Sequence, residues 1–119
     1  MKHVDVKALA NELQEPWRPA EICRFDGYHA FVVVVEGSFY PHRHSHDEFY
    51  YVLEGEVQVE VNGRVITVPA GQALLVQAGE EHHTSAAQRS VMLVVESRSI
   101  TYEPTAGPPE DDMYQGEPV

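Results

Sequence analysis

Three histidines and a glutamate stand at alternate positions of one short stretch, Pro41-His42-Arg43-His44-Ser45-His46-Asp47-Glu48. In an extended strand, alternate side chains leave on the same face, so His42, His44, His46 and Glu48 would converge. Neutral imidazole and carboxylate are ligands for divalent transition metals. The chemistry on offer is therefore metal-centred, either Lewis-acid or redox catalysis or metal-dependent binding. A second pair, His82-His83, follows further along, and these five histidines are most of the seven in the chain.

Such a site needs strands to hold it. Residues 5–14 predict a short helix with Val6, Leu9, Ala10 and Leu13 on one face, closed by Pro16. After Trp17-Arg18-Pro19 the pattern becomes one of strands: residues 21–25, a turn at Asp26-Gly27, then the apolar run 31–35, whose composition predicts burial on both faces. Residues 56–68 predict a hairpin about Asn62-Gly63, a pair that tolerates the positive φ angles of a type I′ turn. That register pairs Val61 with Arg64, Val59 with Ile66 and Val57 with Val68. Residues 73–76, 82–85 and 90–96 read as further strands, the last two around a polar connection. Short strands at spacings of roughly 8–12 residues predict an all-β jelly-roll barrel with a short N-terminal helix.

Composition narrows the partners. A formal charge of −11, with lysine only at Lys2 and Lys7, argues against nucleic acid or an anionic membrane, which require a basic patch. Cys23 stands alone, so an intrachain disulfide is impossible and a small buried hydrophobe is expected. The first fifteen residues carry His3, Asp5, Lys7 and Glu12 without an apolar run, so neither a secretory leader nor a membrane anchor is expected and a cytoplasmic location is. One barrel domain over residues 1–101 is expected, followed by an acidic, Pro- and Gly-rich tail over 102–119.

The chain resembles the cupins, small β-barrels carrying two short motifs. The first motif, His-x-His, three or four residues, Glu, six residues, Gly, is matched by His42, His44, Glu48 and Gly55. The second, Gly, five residues, Pro-x-Gly, two residues, His, three residues, Asn, is matched by Gly71, Gly79 and His82, with Gln77 and Ala86 in place of its Pro and Asn. Over residues 20–97 the chain is most similar to compact stand-alone cupins labelled mannose-6-phosphate isomerase-like. The resemblance implies a double-stranded β-helix and one divalent transition metal (Mn, Fe, Ni, Co, Cu or Zn) held by His42, His44, Glu48 and His82. His46 lies beyond the motif, and His83 points away from His82 in a regular strand.

On this reading Tyr50 shares the Glu48 face, and Tyr50 or His46 would move a proton in catalysis. The expected function is metal-dependent handling of a small molecule, by dioxygenase or isomerase chemistry. The alternative is a non-catalytic module that binds or senses a small ligand. Sugar phosphates fit poorly, because Arg43 has the opposite parity to the ligands and the barrel has no lysine. A homodimer is expected, with the run 31–35 and exposed aromatics supplying its interface.

Overall fold

Two-sided burial of the valine run sets the architecture. In the structure, a computed structural model describing residues 1–105, strand β2 (Tyr28–Ser38) keeps Phe31, Val32, Val33, Val34 and Val35 at 6% exposure or less. The alternate residues Phe31, Val33 and Val35 enter a core inside the curled sheet with Tyr50, Val52, Val57, Val59, Met92 and Val94. Ala30 and Val32 face outward into a second cluster. There helix α1 (Val6–Glu12) lays Leu9 and Ala10 over the sheet, with Leu13 just past its end. Asp5 caps the helix, its carboxylate accepting from the Ala8 amide at 3.0 Å. The run expected to feed a dimer interface is thus buried within one chain.

Strand β8 (His82–Ser97) is the spine. Along one edge it pairs antiparallel with β2 and β3 (His42–His44), along the other with β4 (Glu48–Glu54) and β5 (Glu56–Val61). Strand β1 (Ala20–Phe25) extends β2, β6 (Arg64–Pro69) extends β5, and β7 (Ala73–Val76) extends β4. The result is a mostly β, curled half-barrel of the double-stranded β-helix type with a short N-terminal helix. β8 corrects the expectation of two strands around a polar connection. Ala87, Gln88 and Arg89 are exposed but stay within one paired strand, bulging opposite Glu36 where Val35 pairs with Ser90 and Gly37 with Ala86. Polar residues broke the hydrophobic pattern there, and the ladder to β2 shifts register across the bulge and resumes on the same strand.

The β5–β6 register has Val57 opposite Val68, Val59 opposite Ile66 and Val61 opposite Arg64. Asn62 and Gly63 supply the turn with φ of 50° and 82°. Strand β9 (Tyr102–Pro104) pairs with β3, so the segment read as a tail begins as a strand; its remainder from residue 106 lies outside the described residues. Among the described residues no helix is long and apolar enough to cross a membrane.

Candidate metal centre

β3 is only three residues long, and alternation sends both His42 and His44 inward. His42 lies directly across from His82 on β8, which brings the third imidazole to the same point. Ring centroids are 4.7 Å apart for His42 and His44, 4.4 Å for His42 and His82, and 4.9 Å for His44 and His82. One nitrogen from each ring lies within 4.8 Å of the other two, and all three residues are buried. The turn before His82 is tied to the β3–β4 segment: Gly79 N–H donates to the His44 carbonyl at 2.9 Å and Ala78 N–H to Asp47 Oδ1 at 2.8 Å. These bonds fix the two motifs against each other.

Hydrogen bonding prepares the rings as ligands. His42 Nδ1 donates to the Tyr40 carbonyl at 2.8 Å and His82 Nδ1 to the Glu80 carbonyl at 3.0 Å, leaving the lone pair on each Nε2. Buried His42 Nε2, His44 Nδ1 and Glu48 Oε2 have no hydrogen-bond partner, and His44 Nε2 faces only the Glu48 carboxylate, 3.1 Å from its Oε1. A cluster of buried polar atoms without partners is costly, and a cation among them would satisfy the set. Burial, and then the neighbouring His82, push the His42 imidazole down to about 3, so it is neutral at ordinary pH, as a ligand must be. The donor set fits a divalent transition metal.

Glu48 opens β4 beside this group, fully buried, with Oε1 3.1 Å from His44 Nε2 and 3.7 Å from His82 Nε2. Burial alone would raise its carboxyl, but the His44 and His82 rings hold it well below the usual range. Tyr50, two residues on, donates its hydroxyl to Glu48 Oε1 and lies 3.3 Å from His82 Nε2. Burial and the Glu48 charge raise the Tyr50 phenol well above its ordinary value, so its proton stays on.

Glu96 on β8 is the cross-strand neighbour of both Glu48 and His29, and its Oε1 lies 2.9 Å from His29 Nε2. Burial, and then hydrogen bonding to Glu48, push the Glu96 carboxyl up to about 10. His29, His44 and Glu96 line a cavity of about 370 Å³. Arg98, Ile100, Thr101 and Tyr102, from the segment joining β8 to β9, complete its wall.

The structure brings His42, His44, His82, Glu48 and Tyr50 together, whereas His46 stands apart. β3 ends at His44, so the alternation does not reach His46, which sits exposed in the turn with Nδ1 2.8 Å from Ser45 Oγ. His83 faces the other way, its Nδ1 3.2 Å from Glu60 Oε2. Sequence reasoning missed Glu96, His29 and the cavity wall. One signal was present: Glu96 has the parity of inward-facing Met92 and Val94, and His29 that of Phe31 and Val33.

A curled β-sheet with buried histidines converging inside it defines a small barrel protein with an internal site. A family model described as the cupin domain matches residues 28–96, more than half of the chain, and the chain belongs to that family. Among solved structures it is similar to a cupin-2 domain containing protein from Shewanella frigidimarina, with 28% identity over 80% of this chain and 94% of that one and a TM-score of 0.77. The TT1209 protein from Thermus thermophilus is 27% identical over 82% of this chain and 97% of that one, with a TM-score of 0.69. A hydroquinone 1,2-dioxygenase from Sphingomonas sp. TTNP3, solved with 4-hydroxybenzoate bound, shares the fold at 18% identity, covering 78% of this chain and 73% of that one with a TM-score of 0.67. No curated protein matches the chain.

Proposed function

We propose that this cupin binds one divalent transition metal through His42, His44, His82 and Glu48 and handles a small oxygen-donor molecule that enters beside His44. The observation that carries this reading is the convergence of three buried imidazoles, one nitrogen of each within 4.8 Å of the other two, with His42 Nε2 without a hydrogen-bond partner and the other nitrogen of His42 and His82 committed to a carbonyl. When bound, the ion supplies Lewis acidity and, if it is redox-active, a centre for reaction with O₂.

The chain's own residues divide the remaining work. The Tyr40 and Glu80 carbonyls hold two rings in the ligating tautomer. Tyr50 orients the Glu48 carboxylate and, buried with its proton donated, acts as a positioning residue. Buried Phe39 and Tyr40 wall the His42 side with rings 5.7 Å and 5.9 Å from the imidazole, which excludes water there. The open side is the cavity that reaches His44.

Oxygen-dependent cleavage is the reaction to test first, since a dioxygenase of hydroquinones shares the fold. Isomerisation of a chelated substrate uses the same arrangement, and a binding module without turnover is the remaining alternative. Elemental analysis of protein refolded with Mn, Fe, Ni, Co, Cu or Zn is expected to give about one ion per chain, and His82→Ala to lose most of it. Uptake that is negligible in the wild type, or unchanged in His82→Ala, sinks the proposal. O₂ consumption by the loaded protein with hydroquinones and catechols then separates enzyme from binding module.

A further inference from the structure

The cavity beside His44 carries one side-chain cation that nothing in the site has claimed. In a chain with 19 acidic and 8 basic residues, most arginines have found a glutamate: Arg18 with Glu15, Arg24 with Glu21, Arg43 with Glu81 and Arg89 with Glu54. Among the described residues, no carboxylate lies within 4.0 Å of the Arg98 guanidinium. Glu96, the acid that shares the cavity with it, is occupied by His29 at 2.9 Å. Among the described residues Arg64 likewise has no carboxylate partner, but it sits at the β5–β6 turn and does not line this cavity.

The backbone that carries Arg98 is fixed in place. Its own N–H donates to the Gly27 carbonyl at 2.8 Å, and three residues on, Thr101 N–H donates to Ser45 Oγ at 2.8 Å while the Thr101 carbonyl accepts from Ser45 N–H at 2.9 Å. The segment is therefore stapled to the β1–β2 turn at one end and to the β3–β4 turn at the other. Arg98 and His44 line the same cavity.

We infer that Arg98 is a specificity-determining residue that anchors the carboxylate of a small organic acid, whose opposite, oxygen-donor end reaches the ion beside His44. The inference rests on the metal reading above. A guanidinium presents a planar fork that matches a carboxylate. With no second arginine and no lysine among the described residues of the wall, a singly charged carboxylate is a better match than a phosphate monoester, which demands more donors. About 370 Å³ is at the small end for ligand sites and suits a single ring or a short chain.

The test titrates metal-loaded wild type, Arg98→Gln and Arg98→Lys with 3,4-dihydroxybenzoate and with its uncharged amide, with metal content measured on the same samples. Both probes offer the same chelating diol and differ only at the far end. Wild type is expected to favour the acid by about tenfold, Arg98→Gln to bind acid and amide alike, and Arg98→Lys to recover part of the preference. Affinity for the amide should be the same in all three, which a merely structural role for Arg98 would not allow. Equal binding of acid and amide by wild type, or a preference that survives Arg98→Gln at full metal content, overturns the assignment and leaves the metal site standing. Failure of the wild type to take up metal overturns the proposed function and this inference with it.

Discussion

Glu48 and Glu96 face each other across two strands with little solvent between them, and in the metal-free protein the pair can avoid repulsion only by keeping a proton. Glu48 is held low while Glu96 is pushed up to about 10, so the folded pair carries one proton through neutral pH where the unfolded chain carries none. A raised folded value means stability present at low pH and lost as pH rises from the ordinary 4.5 toward about 10. His42 works in the opposite sense: its value falls from 6.5 to about 3, so its contribution is complete above 6.5 and lost as pH falls toward 3. The two slopes oppose each other between 4.5 and 6.5, and above 6.5 the Glu96 slope remains. Urea unfolding of the metal-free protein is therefore expected to show stability falling between about pH 6.5 and about pH 9, by no more than about 1.4 kcal/mol per pH unit. Glu96→Gln should be flat over that range; a variant curve parallel to the wild type would show that Glu96 is not the proton carrier. The grouping of His42, His44 and Glu48 was legible in the sequence because their spacing and parity are local, and His82 entered through the second motif of the resemblance. Glu96 and His29 were not legible, since what gives them meaning is the pairing of β8 with β2 and β4, nor was Arg98, which is placed by a segment tied to Gly27 and Ser45.

At the scale of elements, β4 and β8 must come close for Glu48 and Glu96 to meet, and the end of β4 shows how. Gly55 follows that strand with φ of 80°, and a Cβ placed there would lie 2.3 Å from Ser90 Oγ. Both the left-handed backbone and the contact forbid a side chain. Gly55→Ala is expected to lower stability by about 2 kcal/mol or more. Adding Ser90→Ala should return only part of that loss, because the backbone strain and the 2.9 Å approach to the residue-90 Cβ remain; full recovery in the double variant, read by urea midpoint, would show that the Oγ contact alone carries the cost. The hairpin, the buried run and the N-terminal helix were legible from period and turn chemistry. The continuity of β8 was not, because an exposed polar bulge looks the same in sequence as a loop. Trp17 was also missed as a core residue: it is 3% exposed at a φ of 68°, packs its ring 5.2 Å from Phe39, and reaches that position through a backbone conformation that no local pattern announces.

For the whole molecule, the proposed ligands come from three strands, β3, β4 and β8, which the chain reaches at His42, Glu48 and His82. An ion bound there would cross-link segments far apart in sequence and, by binding the folded state alone, would stabilise it by mass action, about 4 kcal/mol at a thousandfold excess over Kd. A shift in the unfolding midpoint on the order of 10 °C is then expected on saturation with Ni or Zn, reversed by a chelator. A chain with a formal charge of −11 offers a competing explanation, since any divalent cation gathered diffusely on an acidic surface relieves repulsion and also raises the midpoint. Two controls separate the cases. Mg and Ca, which prefer oxygen ligands, produce the diffuse effect but have little affinity for a cluster of imidazoles. His82→Ala keeps every surface carboxylate and removes one ring from the centre. A large shift with Ni or Zn, a small one with Mg or Ca, and only the small one in His82→Ala is the pattern that an internal histidine site requires; equal shifts across all cations and both proteins would assign the stabilisation to the acidic surface.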